Sequence, residues 1–209
     1  MRVSLKAVVV FAVVAMLAWL AGSTQARITG SAHDFSGQTW NVSGEICLPC
    51  HTPHGANISV VDSPLWNHAV TVATFQVYQS STINATDIGQ PSGRSKLCLS
   101  CHDGTVALDS YGGRTGTRFI SGADLIGTDL RNDHPISFTY NDALAVADRG
   151  LFPPSTKASG LGGTVQANLL FANKMECSSC HDVHNTAGIA SLLRKSNAGS
   201  ALCLTCHDK

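Results

Sequence analysis

Cys47-Leu-Pro-Cys50-His51, Cys98-Leu-Ser-Cys101-His102, Cys177-Ser-Ser-Cys180-His181 and Cys203-Leu-Thr-Cys206-His207 contain all eight cysteines of this 209-residue chain. Three chemistries use cysteines spaced this way. Eight Cys can form four disulfides, and two CxxC pairs can hold zinc in a tetrahedral site. C-x-x-C-H is also the attachment signature of c-type haem, with two thioethers to the vinyl groups and the His as proximal iron ligand. The fifth position decides among them. Nine His among 209 residues put His at a given position about 4% of the time. A His after all four CxxC pairs by accident therefore has a chance of a few in a million. Neither disulfides nor zinc ribbons need it. The pentapeptides predict four covalent haems c, attached at Cys47, Cys50, Cys98, Cys101, Cys177, Cys180, Cys203 and Cys206, with His51, His102, His181 and His207 as proximal ligands.

Five His lie outside the motifs: His33, His54, His68, His134 and His184. Haem iron takes a sixth ligand or keeps an open site, and His or Met is usual where the task is electron transfer. Beyond residue 26 the chain holds one Met, Met175, two residues before Cys177 and tethered too close to its own proximal side. Bis-His coordination follows, with four of the five free His expected on iron. His54 and His184 each come three residues after a proximal His, giving CxxCHxxH twice. Three residues span at most about 10 Å, and proximal and distal ligands approach one iron from opposite faces. His54 and His184 must therefore serve haems other than the ones beside them, which brings neighbouring macrocycles almost into contact. With both axial positions filled, the iron has no room for substrate, so electron transfer rather than catalysis is the expected activity.

The motifs repeat. Leu97–Asp103 and Leu202–Asp208 agree at six of seven positions, and each is preceded by a CxxCHxxH and, before that, by a His beside an acid, His33-Asp34 and Asp133-His134. Each half reads His, CxxCHxxH, CxxCH, which places an N-terminal di-haem half over 27–118 and a C-terminal one over 119–209, divided in the Gly/Thr-rich stretch 112–127. His68 has no counterpart and is the surplus ligand. Outside the first 26 residues, Ser, Thr, Gly, Asn and Pro dominate, a turn-forming inventory. The fold class predicted is a multihaem c-type cytochrome, mostly coil with short helices and minimal strand, its core formed by four closely packed haems. Helices are expected around the motifs and at 142–148, and a short strand at 71–78. Trp40, Trp66, Phe75 and Tyr140 are expected against haem faces. Asp103, Asp182 and Asp208, each following a proximal His, are read as solvated residues of a helix turn.

Charged residues are only 13% and balanced, which excludes a basic nucleic-acid surface. Arg2 and Lys6 precede fifteen unbroken apolar residues, Ala7–Ala21, and small residues at Thr24 and Ala26. The run is short of the roughly 20 residues that span a bilayer and reads as a cleaved export signal over 1–26. No retained membrane span is expected.

CLPCHTPHGA, PLWNH, SKLCLSCHDGTVALDSYGG, NDHPISF, CSSCHDVHN and LLRKSNAGSALCLTCHDK together resemble the doubled-CxxCH multihaem cytochromes, most closely the tetrahaem extracellular filament cytochromes of metal-reducing bacteria. The resemblance runs over nearly all of the chain beyond the signal. It implies a secreted protein that polymerises into conductive filaments, takes electrons from upstream cytochromes and delivers them to external acceptors such as metal oxides. It also implies an inter-subunit His–Fe bond, for which His33, near the start of the exported chain, is the first choice. A monomeric periplasmic shuttle, a cytochrome subunit of a larger redox complex and a multihaem reductase with an open haem are the competing readings.

Overall fold

The computed structural model describes residues 27–208, so the export signal lies outside the described residues. Four short helices, two two-residue strands and four single 3-10 turns are the regular structure among them. The remainder is coil, turn and isolated bridge, in keeping with the turn-rich sequence. Helix α1, Gly93–His102, runs through the second CxxCH and ends at Asp103. Strand β1, Phe138–Thr139, precedes α2, Asp142–Asp148, whose Asn141 side chain accepts from Leu144 N at 2.9 Å. Arg149 closes α2 in the left-handed region at φ 63°. Helix α3, Val165–Leu169, is capped by Thr164 Oγ1 accepting from Ala167 N at 3.2 Å. Strand β2, Lys174–Met175, pairs antiparallel with β1, Phe138 opposite Met175. Helix α4, Cys177–Cys180, begins at once, with the Ser179 hydroxyl accepting from Glu176 N at 2.9 Å. These caps supply the hydrogen bonds that first-turn N–H groups lack.

Two apolar clusters exist beside the motifs, a part of the interior that the turn-rich composition did not announce. The larger gathers Phe138, Tyr140, Ala145, Val165, Leu169, Leu170 and Met175 around the β1–β2 pair. The smaller joins Phe75, Leu99 and Leu130. Phe75 and Tyr140 are buried in these clusters, and Tyr140 stands beside the fourth motif, its hydroxyl 3.3 Å from Cys206 O. Met175, the Met excluded as a ligand, is buried in the larger cluster.

The stretch 71–78 is extended but forms no strand. Its single ladder contact is the Gln76–Asp129 bridge. Where a neighbouring strand would lie, the Gln90 side chain accepts from Phe75 N at 2.8 Å and donates to Phe75 O at 2.9 Å. The same bridge shows first-half contacts continuing past residue 118, since Leu130 N donates to Gln76 O at 2.8 Å.

Helices α1 and α4 pack on one another across the two halves. Glu176, 3% exposed, joins them: its Oε2 accepts from Ser95 N at 3.1 Å, from the Ser137 hydroxyl at 3.2 Å and from the Ser95 hydroxyl. Ser95 Oγ in turn accepts from Cys177 N at 2.9 Å. Burial pushes the Glu176 carboxyl above the ordinary carboxylate range. The second and third CxxCH are thus bolted together through buried side chains.

Candidate functional site

Each proximal His is held by a strap of backbone from elsewhere in the chain. At the first motif, His51 Nδ1 donates to Pro64 O at 2.7 Å, Thr52 N donates to Leu65 O at 2.9 Å, and Asn67 N donates to Cys50 O at 2.9 Å. The third motif repeats this pattern. His181 Nδ1 donates to Ser191 O at 2.8 Å, Asp182 N to Leu192 O at 2.7 Å, and Arg194 N to Cys180 O at 2.9 Å. Leu65 and Leu192 occupy equivalent places and share left-handed backbone, φ 55° and 56°. At the fourth motif, Asp208 N donates to Gly150 O at 2.9 Å and Phe152 N to Cys206 O at 2.8 Å, around a Leu151–His207 bridge. The second motif differs because it ends a helix: His102 Nδ1 donates to Asp124 O at 2.8 Å, and His102 O accepts from Ile126 N at 2.8 Å.

The chemistry of the strap is specific. A carbonyl can only accept, so at His51, His102 and His181 the proton sits on Nδ1 and the Nε2 lone pair is left for a metal. The same bond fixes ring orientation and raises the basicity of the ligating nitrogen.

Three free His meet three proximal His within this one chain. His33 lies 6.1 Å from His102 between ring centroids, His184 lies 6.3 Å from His51 and His134 lies 6.3 Å from His207. Two imidazoles that each reach one iron through Nε2 at about 2 Å have centroids roughly 6 Å apart. The juxtaposition agrees with the tether argument, since His184 lies against His51 of the first motif and not against His181 of its own. Burial, then the nearby His102, lowers the His33 pKa to about 4, with His181 and His184 adding to the effect. His33 is thereby kept neutral, the form a metal ligand requires. His33, the first choice for an inter-subunit ligand, faces His102 of its own chain.

The other two free His behave differently. His68 is 3% exposed, with Nδ1 2.8 Å from Ala69 O and Nε2 3.1 Å from Ala107 O, so both ring nitrogens are turned to backbone. His54 is exposed and lines an open cleft of about 380 Å³ with Leu48, Thr52, Asn67, Tyr111 and Arg114. Among the proximal His, His181 is exposed, and no other His ring stacks on it among the described residues.

No disulfide joins any two of the eight cysteines. Cys98 of α1 and Cys177 of α4 are near neighbours, and the interaction between them, then burial, pushes the Cys98 thiol up. Burial raises Cys50 and Cys206 to about 11 and Cys101 to about 12. Among the described residues no three His, Cys, Asp or Glu converge as they would around a bare metal ion. The arrangement fits haem c instead: a CxxC pair beside each proximal His, three opposed imidazoles at bis-His separation, and buried polar atoms without partners at His33 Nδ1 and Trp66 Nε1. Trp66 packs edge-on against His51, 6.1 Å between centroids.

Of the acidic residues after the proximal His, Asp208 is exposed as expected, whereas Asp103 and Asp182 are drawn into local hydrogen bonding. Asp103 is buried, accepting from Thr71 Oγ1 at 2.5 Å and Thr105 N at 2.7 Å. Asp182 accepts from His184 N at 3.1 Å and Thr186 N at 2.9 Å, which shapes the turn that projects His184. The backbone straps escaped sequence reasoning entirely. They lie 13 and 10 residues after His51 and His181, and no motif marks them.

Residues 170–209 match the doubled CXXCH motif family. The match supports the class of doubled-CxxCH multihaem cytochromes, whose members bind haem c covalently and transfer electrons. No curated protein matches the chain.

Proposed function

We propose that the chain holds four haems c, one per CxxCH, and that it polymerises head to tail into an extracellular electron conduit. In this polymer His54 of one copy is the sixth ligand at the His181 site of the next. One observation carries the reading: three proximal His have an imidazole partner in the chain, while the leftover proximal His181 and the leftover free His54 are both exposed. The in-chain joint, His184 to His51, links the CxxCHxxH loop of the second half to the first motif of the first half. The joint between copies is its reciprocal, His54 to His181, linking the same loop of the first half to the same motif of the second. A heterologous contact of this kind that does not close builds an open filament.

The loop beyond His54 supports a covered surface. Ile58 is 95% exposed, Val61 88% and Leu65 54%, a run of apolar side chains that contact with a second copy would remove from water. The corresponding loop after His184 presents no such run: Arg27 N donates to His184 O at 2.8 Å, Leu192 is buried, and its exposed positions between these are the small or polar Thr186, Ala187, Gly188, Ala190 and Ser191.

Bound haem with two axial imidazoles supplies one-electron exchange and leaves iron no position for substrate. The chain's own residues do the remaining work. The straps orient the proximal rings, burial keeps His33 neutral, and the α1–α4 packing holds the second and third attachment sites together. Export through 1–26 delivers the subunits to the outside, where upstream cytochromes donate electrons and metal oxides accept them.

Electron microscopy of the secreted fraction, with haem counted per chain, tests the reading. Wild type is expected as filaments with four haems per subunit. His54→Ala is expected as separate subunits, still with four haems, one of which binds carbon monoxide when reduced. Filaments that persist in His54→Ala, or a wild type that is monomeric with every iron low-spin, would overturn it.

A further inference from the structure

Phe171 is flanked by two guanidinium groups. Arg94 Cζ lies 3.9 Å from its ring centroid and Arg194 Cζ 5.8 Å. A third cation is close by, because Lys174 exchanges backbone hydrogen bonds with Phe171 at 3.1 and 2.9 Å and points its Nζ at Ser92 Oγ, 3.3 Å away. No carboxylate reaches either arginine: the ion pairs among the described residues are Arg131 with Asp129 and His184 with Asp182. Arg194 Nη2 donates to Asn168 O at 3.0 Å, but its Nε is buried with no hydrogen-bond partner. A buried donor on a permanent cation is costly to leave unpaired. Arg94 sits one helical turn before Cys98, and Arg194 is anchored by its N–H to Cys180 O at 2.9 Å. The cationic pair therefore lies where the second and third attachment sites meet.

We propose that Arg194, assisted by Arg94 across Phe171, is a carboxylate-binding residue that holds a propionate of the haem attached at Cys177 and Cys180. The argument rests on the haem assignment above. Each haem carries two propionates, and a planar guanidinium is the side chain that meets a carboxylate with two parallel N–H bonds. The Arg194 Nε edge is the one left free for this. Arg194 is a positioning residue: it fixes the macrocycle edge at the α1–α4 junction and, as a nearby positive charge, favours the reduced iron.

Redox titration of the assembled holoprotein, with resonance Raman of the propionate bending modes, tests the assignment in Arg194→Gln, Arg194→Lys and Arg94→Gln. Haem content is counted first, because fewer than four haems in wild type would refute the haem reading rather than this one. Arg194→Gln should move one reduction step to more negative potential, shift one propionate mode and leave four haems per chain. Arg194→Lys should restore most of the potential and only part of the vibrational shift. Where Arg194→Gln fails to accumulate, Arg94→Gln should move the same step in the same direction by less. Variants with four haems, an unmoved potential and an unmoved propionate mode would overturn the proposal.

Discussion

The two loops that follow a CxxCHxxH, 51–67 and 181–194, are built alike and used differently. Both return a strap to their own proximal His, both place a left-handed Leu at the same point, and both donate an N–H to the carbonyl of the second Cys. The second loop is shorter, lies under Arg27 and turns His184 onto His51 of the same chain. The first is three residues longer between its His and strap carbonyl, exposes Ile58 and Val61 and leaves His54 in solvent. A local device that orients a proximal ligand is thus conserved between the halves. What differs is whether the second His of the loop packs on another motif of the chain, as His184 does on His51, or stands exposed, as His54 does. An open assembly needs this asymmetry, because a chain that satisfied both loops internally would have nothing to extend.

The sharpest way to break the comparison is to remove each distal His. His184→Ala should leave one in four haems five-coordinate and able to bind carbon monoxide, while filaments persist; His54→Ala should create the same open site and abolish filaments. Absorption spectra of the reduced protein with carbon monoxide, beside electron micrographs, separate the two, and filaments lost equally in both variants would erase the distinction between the loops.

Next in size is the pair of left-handed leucines, measured as denaturation midpoints in a His54→Ala background so that assembly does not contribute. Leu192 is buried at 9% exposure and Leu65 is 54% exposed. Leu192→Gly should destabilise by about 2 kcal/mol, since lost burial outweighs relief of the backbone. Leu65→Gly should stabilise by about 0.5 kcal/mol, since at an exposed site relief of left-handed strain exceeds the entropy cost of glycine. Equal changes at both positions would mean that the straps are not held differently.

The smallest expected effect concerns the bolt between the halves. Burial raises the Glu176 pKa above its reference of 4.5, so the folded protein keeps this proton to higher pH than the unfolded chain does. The stability this contributes is present below pH 4.5 and is lost as pH rises through the folded value. Glu176→Gln cannot titrate, so its unfolding midpoint should gain on that of wild type across this window. Parallel pH profiles would show that Glu176 is not held neutral.

Much of the site was legible because haem attachment is a local chemical code. Two thiols and a ligand within five residues can be read without a fold, and the short tether in CxxCHxxH excludes same-haem ligation by distance alone. The 142–148 helix was legible from its composition and is there, capped by Asn141. The strand at 71–78 was not, since β-branched residues promise a strand only where a partner exists, and Gln90 takes the partner's place. Asp103 looked like a solvated turn residue because nothing in its neighbours signals Thr71, 32 positions away, reaching it to hydrogen-bond. His33 looked free to cross between subunits because it stands near the start of the exported chain. Its burial against His102 comes from folding that segment over the second motif.

The sequence alone determined which thiols and imidazoles stand at haem-attachment spacing and that His, not Met, is the residue available as a further ligand, because both follow from residue type and spacing along a few bonds. Only the tertiary structure decided which His faces which, which carbonyl steers each proximal ring and which ligand is left over. Those choices depend on segments tens of residues apart arriving at one place, and a pairing at centroid separations of 6.1 to 6.3 Å is set by packing that no local pattern encodes.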